Sequence, residues 1–542
     1  MRRWPLTLLL GALPALAAGT PDLGTDADRA AGKVLYEKYC SQCHGEKGDG
    51  AGPAAVHLNP RPRNFTTGKY KIRTTPNGTL PTTADLVHII KTGMPYSSMP
   101  SWPEFTDDQV KHLAYYVKSF SPDFANAEFN AASLDLPKAP KYTKESAEAG
   151  RKVYEETGCI KCHGDLGRGD GPSARTLVDD LGFPIRPADF TQRWTFRGGP
   201  TREDIFRTMT TGLNGTPMPA FGDALTPEQR WAITDYMYSL GESDRAPYAM
   251  LILAKHVDDV IDLSKGAASF DGAKVSRLPI VGQIMEPGRD FAPAAHSIEV
   301  QAVYDGSDIA FLLRWNDMSA EKAGTNSPML PVPIEEEDAA PKAAAGAAQQ
   351  LDEWGEPVAA PAGGAAAPPS ESFSDAVAIQ LPLVAPTGPR KPYFLFGDPT
   401  NGVDLWFADL ARPSADQYTA KGSAAITPSD ASEVTSVATY DRGQWSVILK
   451  RPLTSSSGVT FVQGQFLPIA FTTWDGGSRE RGNKRGLTQW ASLYVEPQIV
   501  VSPWGPALRM GLLVLGLEIL VIVLVRRRKG TVPLSQRSPV SS

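Results

Sequence analysis

All four cysteines of the 542-residue chain lie in two short motifs of one form, Cys40-Ser-Gln-Cys43-His44 and Cys159-Ile-Lys-Cys162-His163. Two nearby thiols can bond the two vinyl groups of a haem, and the adjacent histidine can bind its iron, so this motif is the attachment signature of a haem c. A zinc site would need further Cys or His ligands, and a thioredoxin-type redox pair would need no following histidine. The two motifs therefore predict two covalently bound haems c.

A methionine at the same distance from each motif predicts the second axial ligand of each iron. Met99 follows His44 by 55 residues, and Met218 follows His163 by 55 residues. Met94 has no methionine at the equivalent position after the second motif, so we expect it to be a core residue or a methionine that does not bind iron. Ligation by His and Met fills both axial positions and raises the reduction potential, which favours transfer of single electrons over substrate chemistry.

The elements that must position these ligands occur twice. Each copy has a helical stretch before the motif, an Asn/Asp-Phe-Thr segment after it, and two further helices, which we predict at residues 85–92 and 107–120 in the first copy and at 203–211 and 227–240 in the second. We place the two units at residues 22–125 and 140–245, joined by a proline-containing linker. The first unit's remaining histidines have no counterparts and are expected to be surface or helix residues; they are His57, His88 and His112.

This half of the chain resembles class I cytochrome c domains in tandem over about 220 residues. The resemblance rests on the two haem motifs and on a glycine and tyrosine before each, namely Gly32 with Tyr36 and Gly150 with Tyr154. It implies two all-α domains in which the glycine lets the N-terminal helix cross closely over the C-terminal helix, which carries Tyr115, Tyr116 and Tyr236.

From residue 246 to 500 the pattern changes to alternating strands. Residues 297–302 and 309–315 flank one turn signal, and residues 434–440 and 445–449 flank another, so two hairpins are predicted. Strands without intervening helical patterns predict an all-β, antiparallel, sandwich-like domain. Residues 319–372 are rich in Ala, Pro and Glu and are expected to form a disordered insertion, because they cannot bury enough apolar surface to order themselves.

Several pieces of this region resemble, in order, the haem b-binding subunit of ethylbenzene dehydrogenase and its relatives, which accompany molybdenum enzymes; they are residues 278–283, 309–317, 375–380, 397–406, 445–453 and 474–484. The resemblance implies one non-covalent haem b held between a methionine and a lysine, and Lys484 matches the lysine. Phe396 stands where the methionine is expected, which leaves Met250, Met285, Met318 and Met329 in the region. The alternative for Lys484 is a solvated loop lysine.

The two ends of the chain predict export and a membrane anchor. Residues 1–18 combine a charged start, an apolar run and a small-residue site, as in a signal peptide. Residues 506–525 are long and apolar enough for a transmembrane helix, and the basic residues that open the 526–542 tail predict that this tail is cytoplasmic. The haem domains are therefore expected in the periplasm, on a bacterial inner membrane. Glu518 either lies near the inner interface or contacts another membrane subunit.

The charge balance excludes nucleic acid as the main partner. The chain has a net charge of −6, but six of its 54 basic residues follow residue 505 and two precede residue 19. Between residues 19 and 505 this leaves 46 basic against 59 acidic residues, a net charge of −13. We therefore expect the body to dock on positively charged redox partners through long-range attraction.

These features predict a membrane-anchored multihaem cytochrome that is not itself an enzyme. It would carry electrons between an acceptor and either a respiratory redox enzyme, such as a molybdenum enzyme, or a quinol-oxidising complex. One alternative is a dihaem redox enzyme, peroxidase-like or oxidising a small inorganic ion, which would need an open iron position. Another is a cytochrome whose β domain is a haem-free assembly module, as the phenylalanine at position 396 favours.

Overall fold

The computed structural model describes residues 21–334, 372–498 and 504–529, which divide after Val495 into two units. The predicted signal peptide, the end of the basic tail and most of the predicted insertion lie outside the described residues. The first unit contains two helical domains and one β domain, and the second contains a single long helix.

The helical half repeats one set of elements twice. The first copy contains α1 (Asp26–Tyr39), α2 (Ser41–His44), α3 (Thr83–Thr92) and α4 (Asp107–Lys118), and the second contains α5 (Lys144–Glu156), α6 (Ile160–His163), α7 (Arg202–Thr211) and α8 (Pro227–Leu240). Short 3₁₀ turns occupy matching places at Ala55–His57 and Phe65–Thr67, and at Ala174–Thr176 and Phe190–Thr195. The predicted duplication is therefore confirmed, with the predicted helices displaced by at most two residues at either end.

Threonines begin the longer helices of both copies. The side chain of each threonine accepts from a backbone N–H in the first turn, and in five helices an Asp or Gln returns the bond to the threonine N–H; these caps are Thr25, Thr82, Thr106, Thr201 and Thr226. Such capping boxes satisfy amides that have no partner within the helix. The signal is local, which is why the helix starts could be predicted from sequence.

The first and last helices of each copy cross at a glycine. A Cβ atom on Gly32 would lie 2.1 Å from the carbonyl oxygen of His112, and one on Gly150 would lie 1.9 Å from that of Ala232. No side chain fits at such distances, so only glycine permits this approach. The tyrosine after each glycine packs edge-on against a tyrosine of the last helix, with ring centroids 5.3 Å apart in the first copy and 5.2 Å in the second. The close crossing that the resemblance implies is confirmed.

The β domain is built on one sheet of 14 strands within the described residues. The strands are β1 (Leu251–His256), β2 (Ser276–Pro279), β3 (Val281–Gly282), β4 (Ser297–Tyr304), β5 (Asp308–Asn316), β6 (Ala376–Pro382), β7 (Val403–Asp409), β8 (Asp416–Ala420), β9 (Ile426–Pro428), β10 (Thr435–Asp441), β11 (Gln444–Pro452), β12 (Phe466–Trp474), β13 (Gly486–Leu487) and β14 (Ala491–Val495). The main order is β10-β11-β5-β4-β1-β14-β12-β6-β7-β8-β9, with β2 beside β4 and with β13 joining β12 to β3.

The sheet folds over so that distant strands share one core. Phe311 on β5 and Trp406 on β7 are separated by five strands in the sheet order, yet their ring centroids lie 5.7 Å apart. Both predicted hairpins are present, as antiparallel β4 with β5 and antiparallel β10 with β11. A sandwich-like packing is thus obtained from a single curved sheet.

The expectation of a purely antiparallel sheet is wrong, because the sheet is mixed. Strand β1 pairs in parallel with both of its neighbours, β4 and β14. Parallel partners need long connections, and β14 begins more than 200 residues after β1 ends. Turn signals indicate only strands that are neighbours in sequence, so they could not show that β1 lies between β4 and β14 in the sheet.

The predicted disordered insertion begins too early in the chain. Residues 319–334 are described and pack on the β domain, where Asn326 is 2% exposed. The Asn326 side chain donates to the carbonyl oxygens of Ser374 (2.7 Å) and Glu480 (3.0 Å). Polar bonds to neighbouring loops order this stretch, and composition does not show such bonds. Residues 335–371 lie outside the described part of the chain.

The second unit contains α9 (Trp504–Lys529). Its segment Ala507–Arg528 has a mean hydropathy of 2.5 over its most apolar window and is long enough to cross a membrane. The predicted anchor at residues 506–525 falls within this helix.

Candidate haem sites

Both cysteine motifs occupy the bend between a long helix and a short one. Cys40 ends α1 and Cys43 lies within α2, and Cys159 with Cys162 repeat this placement around α6. All four thiols are half-buried, and none forms a disulfide. Burial raises the pKa of the Cys40 thiol to about 12 and that of Cys159 to about 11, so both are protonated. Each pair is therefore available for thioether bonds to one haem.

The histidine of each motif is oriented by a backbone carbonyl. Nδ1 of His44 donates to the oxygen of Arg63 (3.0 Å), and Nδ1 of His163 donates to that of Ala188 (3.1 Å). A carbonyl oxygen only accepts, so Nδ1 carries the proton and Nε2 keeps its lone pair. Metal-binding histidines commonly have such a partner, which fixes both tautomer and ring orientation.

An aromatic ring packs flat against each of these imidazoles. The ring centroids are 4.5 Å apart for His44 and Phe65 and 4.3 Å apart for His163 and Phe190. Burial lowers the pKa of His44 and lowers the pKa of His163 to about 4. Both imidazoles are therefore neutral at physiological pH, as a metal ligand must be.

The two predicted methionine ligands lie in turns of the same construction. The carbonyl oxygen of Met99 accepts from Met94 N, and that of Met218 accepts from Leu213 N, both at 3.1 Å. In each turn a hydroxyl group closes the loop by donating to the carbonyl five residues before the ligand, from Ser97 or Thr216 at 2.8 Å. Met94 thus occupies the place of a leucine, as its alignment predicts. The donor set of each unit, two thiols with a neutral imidazole and a methionine turn, fits a haem c.

The second cytochrome unit inserts an arginine into a buried acidic cluster of the β domain. Arg175 Nη2 lies 2.8 Å from Glu321, 3.4 Å from Asp475 and 3.5 Å from Asp317. Carboxylate oxygens of Asp317, Asp375 and Asp475 all lie within 4.8 Å of one another. Arg175 supplies a cation to this cluster, and no spacing in the sequence connects residue 175 with these acids.

Burial and mutual repulsion disfavour the charged forms of these acids. Desolvation, followed by the negative charge of Asp475, raises the pKa of Asp317 well above its usual value and that of Asp375 to about 8. Desolvation also raises the pKa of Glu480, which lies beside the cluster. Arg186 is a second cation at this interface, with its Nη2 3.7 Å from Asp475. The interface therefore combines two arginines with several carboxyl groups that hold protons readily.

The β domain also supports the histidine of the second haem site. Asn316 Nδ2 donates to Asp189 Oδ2 at 2.6 Å. Asp189 is the neighbour of Ala188, whose carbonyl holds the imidazole of His163. The end of β5 therefore contacts the segment that orients this ligand.

A different part of the β domain contacts the methionine turn of the first site. Tyr96 lies three residues before Met99 and has φ +51°, which is uncommon for a residue other than glycine. Its hydroxyl lies 2.6 Å from that of Tyr248, and its ring centroid lies 5.8 Å from that of His296. Both haem sites therefore have contacts from outside their own domain that sequence reasoning missed.

The histidines without counterparts have different surroundings. His88 is exposed, and His112 Nε2 lies 3.2 Å from Asp28 of α1. The ring of His57 packs against Phe291 of the β domain, with centroids 4.5 Å apart. His57, the last residue of the 3₁₀ turn Ala55–His57, is therefore also an interface residue.

The residues at the expected haem b position do not fit that group as the resemblance implies. Phe396 is 1% exposed, and the guanidinium of the fully buried Arg485 covers its ring at 3.7 Å. Lys484 is half-buried and donates to the carbonyl oxygen of Ser478 (3.2 Å). Three of the region's methionines are exposed, and the fourth is half-buried; they are Met250, Met285 and Met329, and Met318. Position 396 offers no sulfur ligand opposite Lys484.

Comparison with known proteins identifies the helical half. Residues 27–117 and 145–237 each match the family described as cytochrome c oxidase, cbb3-type, subunit III. The helical half therefore matches class I c-type cytochrome domains, and such domains imply covalently bound haem c. The relation of the β domain to the ethylbenzene dehydrogenase subunit remains a prediction.

Similar proteins come from several respiratory systems. The chain is 25% identical over 168 residues to a putative respiratory nitrate reductase heme subunit of Haloferax mediterranei, covering 30% of this chain and 58% of that protein. It is 27% identical over 218 residues to the cbb3-type cytochrome c oxidase subunit FixP of Azorhizobium caulinodans, covering 39% and 60%. The chain thus spans less than two thirds of either relative.

One solved structure is also similar. A chain of the Kuenenia stuttgartiensis reducing HAO-like protein complex is 43% identical to this protein. The match covers 42% of this chain and 99% of that chain, with a TM-score of 0.38.

Proposed function

We propose that the protein is a membrane-anchored dihaem cytochrome c that passes single electrons between a respiratory redox enzyme or quinol-oxidising complex and an acceptor. The observation that carries this proposal is the duplicated donor set, in which a carbonyl-oriented, neutral histidine is paired with a methionine turn of fixed construction. A haem bound through His and Met has no open iron position, so it supplies one-electron transfer rather than substrate chemistry.

In the first domain Cys40 and Cys43 would hold the haem covalently, with His44 and Met99 as its axial ligands. In the second domain Cys159 and Cys162 would hold the haem, and His163 and Met218 would be its ligands. The chain's own contribution is to fix the two ligands in place. The carbonyl bonds keep each Nε2 unprotonated, and the closed turns keep each methionine at a constant position.

The proposed location and partners rest on the ends of the chain and on its relatives. The helix ending at Lys529 and the basic residues that close it support a single-pass anchor with the haem domains in the periplasm. The names of the similar proteins, a nitrate reductase heme subunit and oxidase subunits, support a place within a respiratory complex. The acidic body supports docking on basic partner surfaces, so electron-transfer rates should fall as salt rises.

A second candidate assigns the β domain a role without haem. The covered phenylalanine at position 396 favours a scaffold that holds the two cytochrome domains, through the cluster around Arg175 and the contact of Tyr96 with Tyr248. A haem b coordinated by Lys484 would instead need a methionine from outside position 396.

A pyridine haemochrome assay on the purified full chain, combined with acid-acetone extraction, tests these assignments. We expect two haems c per chain that resist extraction, low-spin spectra of six-coordinate iron, and no extractable haem. One extractable haem b per chain would overturn the scaffold role of the β domain. A five-coordinate resting spectrum would overturn the electron-carrier proposal and favour the dihaem enzyme.

A further inference from the structure

The methionine turn of the second haem site is held by a residue of the first cytochrome domain. Arg73 is 1% exposed, and its Nη2 donates to the carbonyl oxygen of Thr211 at 2.5 Å. Its Nη1 lies 3.5 Å from the carbonyl oxygen of Gly212. The next residue, Leu213, donates its N–H to the carbonyl oxygen of Met218. The guanidinium of Arg73 is therefore linked to the proposed iron ligand through the backbone of Gly212 and Leu213.

The position of Arg73 suits a buried cation. Thr211 is the last residue of α7, and the carbonyls at a helix C-terminus carry partial negative charge. Further acceptors hold the same guanidinium within the first domain: the carbonyl oxygens of Tyr70 and Pro76 and the side chain of Asn77, at 3.1–3.4 Å. Burial lowers the pKa of Arg73 to about 10, so it remains charged at neutral pH. The planar fork of an arginine can join both domains at once.

The turn has little freedom to move away from this contact. Gly212 has φ +64°, and a Cβ atom there would lie 2.6 Å from Ala220 N. Asp180 N donates to the carbonyl oxygen of Gly215 within the same turn, and Lys69 of the first domain pairs with Asp180 at 2.8 Å. Arg73 thus contacts the backbone before Leu213 directly, and Lys69 is linked to the backbone after it through Asp180.

The same stretch of chain begins at the first haem site. The carbonyl oxygen of Arg63 orients His44, and ten residues later Arg73 reaches the second domain. The matching turn of the first domain is placed differently, because Thr92 is exposed whereas Thr211 is 2% exposed. Contact of this kind is therefore a property of the second site.

We propose that Arg73 is a positioning residue for Met218, which makes the sulfur–iron bond and the reduction potential of the second haem depend on the first domain. This inference rests on the proposed assignment of Met218 as a ligand. Loss of the arginine loosens the turn and removes a positive charge, and both effects lower the reduction potential of the second haem.

The test compares R73Q and R73K with the parent chain. Redox titration resolves the two haems, and the far-red charge-transfer band of ferric haem reports bound methionine. For R73Q we expect a lower potential for the second haem only, with loss of up to half of the band. R73K keeps the charge but not the fork, so part of the band is lost while the potential falls less. R151Q, at an exposed site of the second domain, is the matched control and should change neither.

The variant M218H identifies which titration step belongs to the second haem. If M218H alters no step, the ligand assignment fails, independently of Arg73. If M218H alters one step but R73Q, with two haems c bound, leaves that step and the band unchanged, the role of Arg73 is overturned. An equal shift of both haems would also overturn it. If R73Q does not retain haem, R73K is the test: partial loss of the charge-transfer band supports the role of Arg73, and an unchanged band overturns it.

Discussion

The proposed haem ligands of the two helical domains are held in the same way but in different surroundings. The distances from the histidine to its carbonyl, 3.0 and 3.1 Å, and the turn that carries each methionine agree between them. The first domain's methionine turn follows an exposed Thr92 and contacts the β domain through Tyr96. The second domain is held by Arg73 on one side and by the acidic cluster around Arg175 on the other.

This difference separates ligand chemistry from tuning. Identical ligands would give two haems of equal potential if ligation alone set the value, but charge, burial and hydrogen bonds around a haem also shift it. A buried arginine near the second site favours the reduced state of that site. A chain with two such sites can therefore hold unequal potentials and give electron flow a direction.

Replacement of each methionine in turn should give the largest change in reduction potential and so tests the comparison of the two sites most directly. M99H and M218H should each lower the potential of a different haem by roughly a few tenths of a volt, because imidazole favours ferric iron more than a thioether does. Redox titration followed by visible spectroscopy measures both steps. M94L is the matched control, since leucine already stands at its equivalent in the second domain. A large shift in M94L, or none in M99H, would contradict the assignment.

Removal of Arg175 from the acidic cluster should give the next largest effect. We expect it to lower the stability of the β domain. R175A removes the cation nearest to the buried carboxylates and leaves only Arg186 beside Asp475. We expect this to destabilise the β domain by about 2–3 kcal/mol, below the value for fully buried pairs because Arg175 is 28% exposed. Tryptophan fluorescence during denaturation measures this, since Trp445 donates to Asp375.

R151A is the control for this experiment. Arg151 pairs with Glu155 at 2.9 Å on an exposed helix face, where solvent screens the pair and its contribution to stability is small. Equal losses in the two variants would show that the cluster around Arg175 does not carry the interface.

The helices could be predicted, and ligands for the haems proposed, because their signals are local or repeated. The cysteine motifs are contiguous, and the capping threonines lie within four residues of their partners. The spacing of 55 residues shared by both copies favours Met99 over Met94 as the candidate ligand. Each of these features is fixed by a few neighbouring residues or by the duplication itself. Nothing about the rest of the fold is needed to recognise them.

The contacts between domains could not be predicted, because they join residues that share no pattern. Arg73 meets Thr211 across 138 residues, and Arg175 meets Asp475 across 300. The same reason explains the parallel strand β1, whose partners lie far away in sequence. Phe396 was visible as a departure from the haem b pattern, but only the structure shows that Arg485 covers it.

The smallest expected effect concerns the pH dependence of the interface between the second cytochrome domain and the β domain. Burial raises the pKa of Asp375 from 3.8 to about 8, so the folded protein holds a proton that the unfolded chain has released. Stability from this group is complete below pH 4 and is lost as pH rises through 8. Between pH 6.5 and 8 the free energy of unfolding should therefore fall by about 1–2 kcal/mol.

The window is chosen so that most of the opposite effect of buried histidines lies below it. Burial lowers the pKa of His296 to about 4, so this group adds stability as pH rises, most of it below about 6.5 and about 0.4 kcal/mol above it. Denaturation midpoints measured every half unit from pH 6.5 to 8 give the slope. D375N should flatten it even if the variant is less stable, whereas D430N, at an exposed site, should keep it. A slope that persists in D375N would place the titrating proton on another acid of the cluster, and a stability that rises with pH would contradict the raised pKa itself.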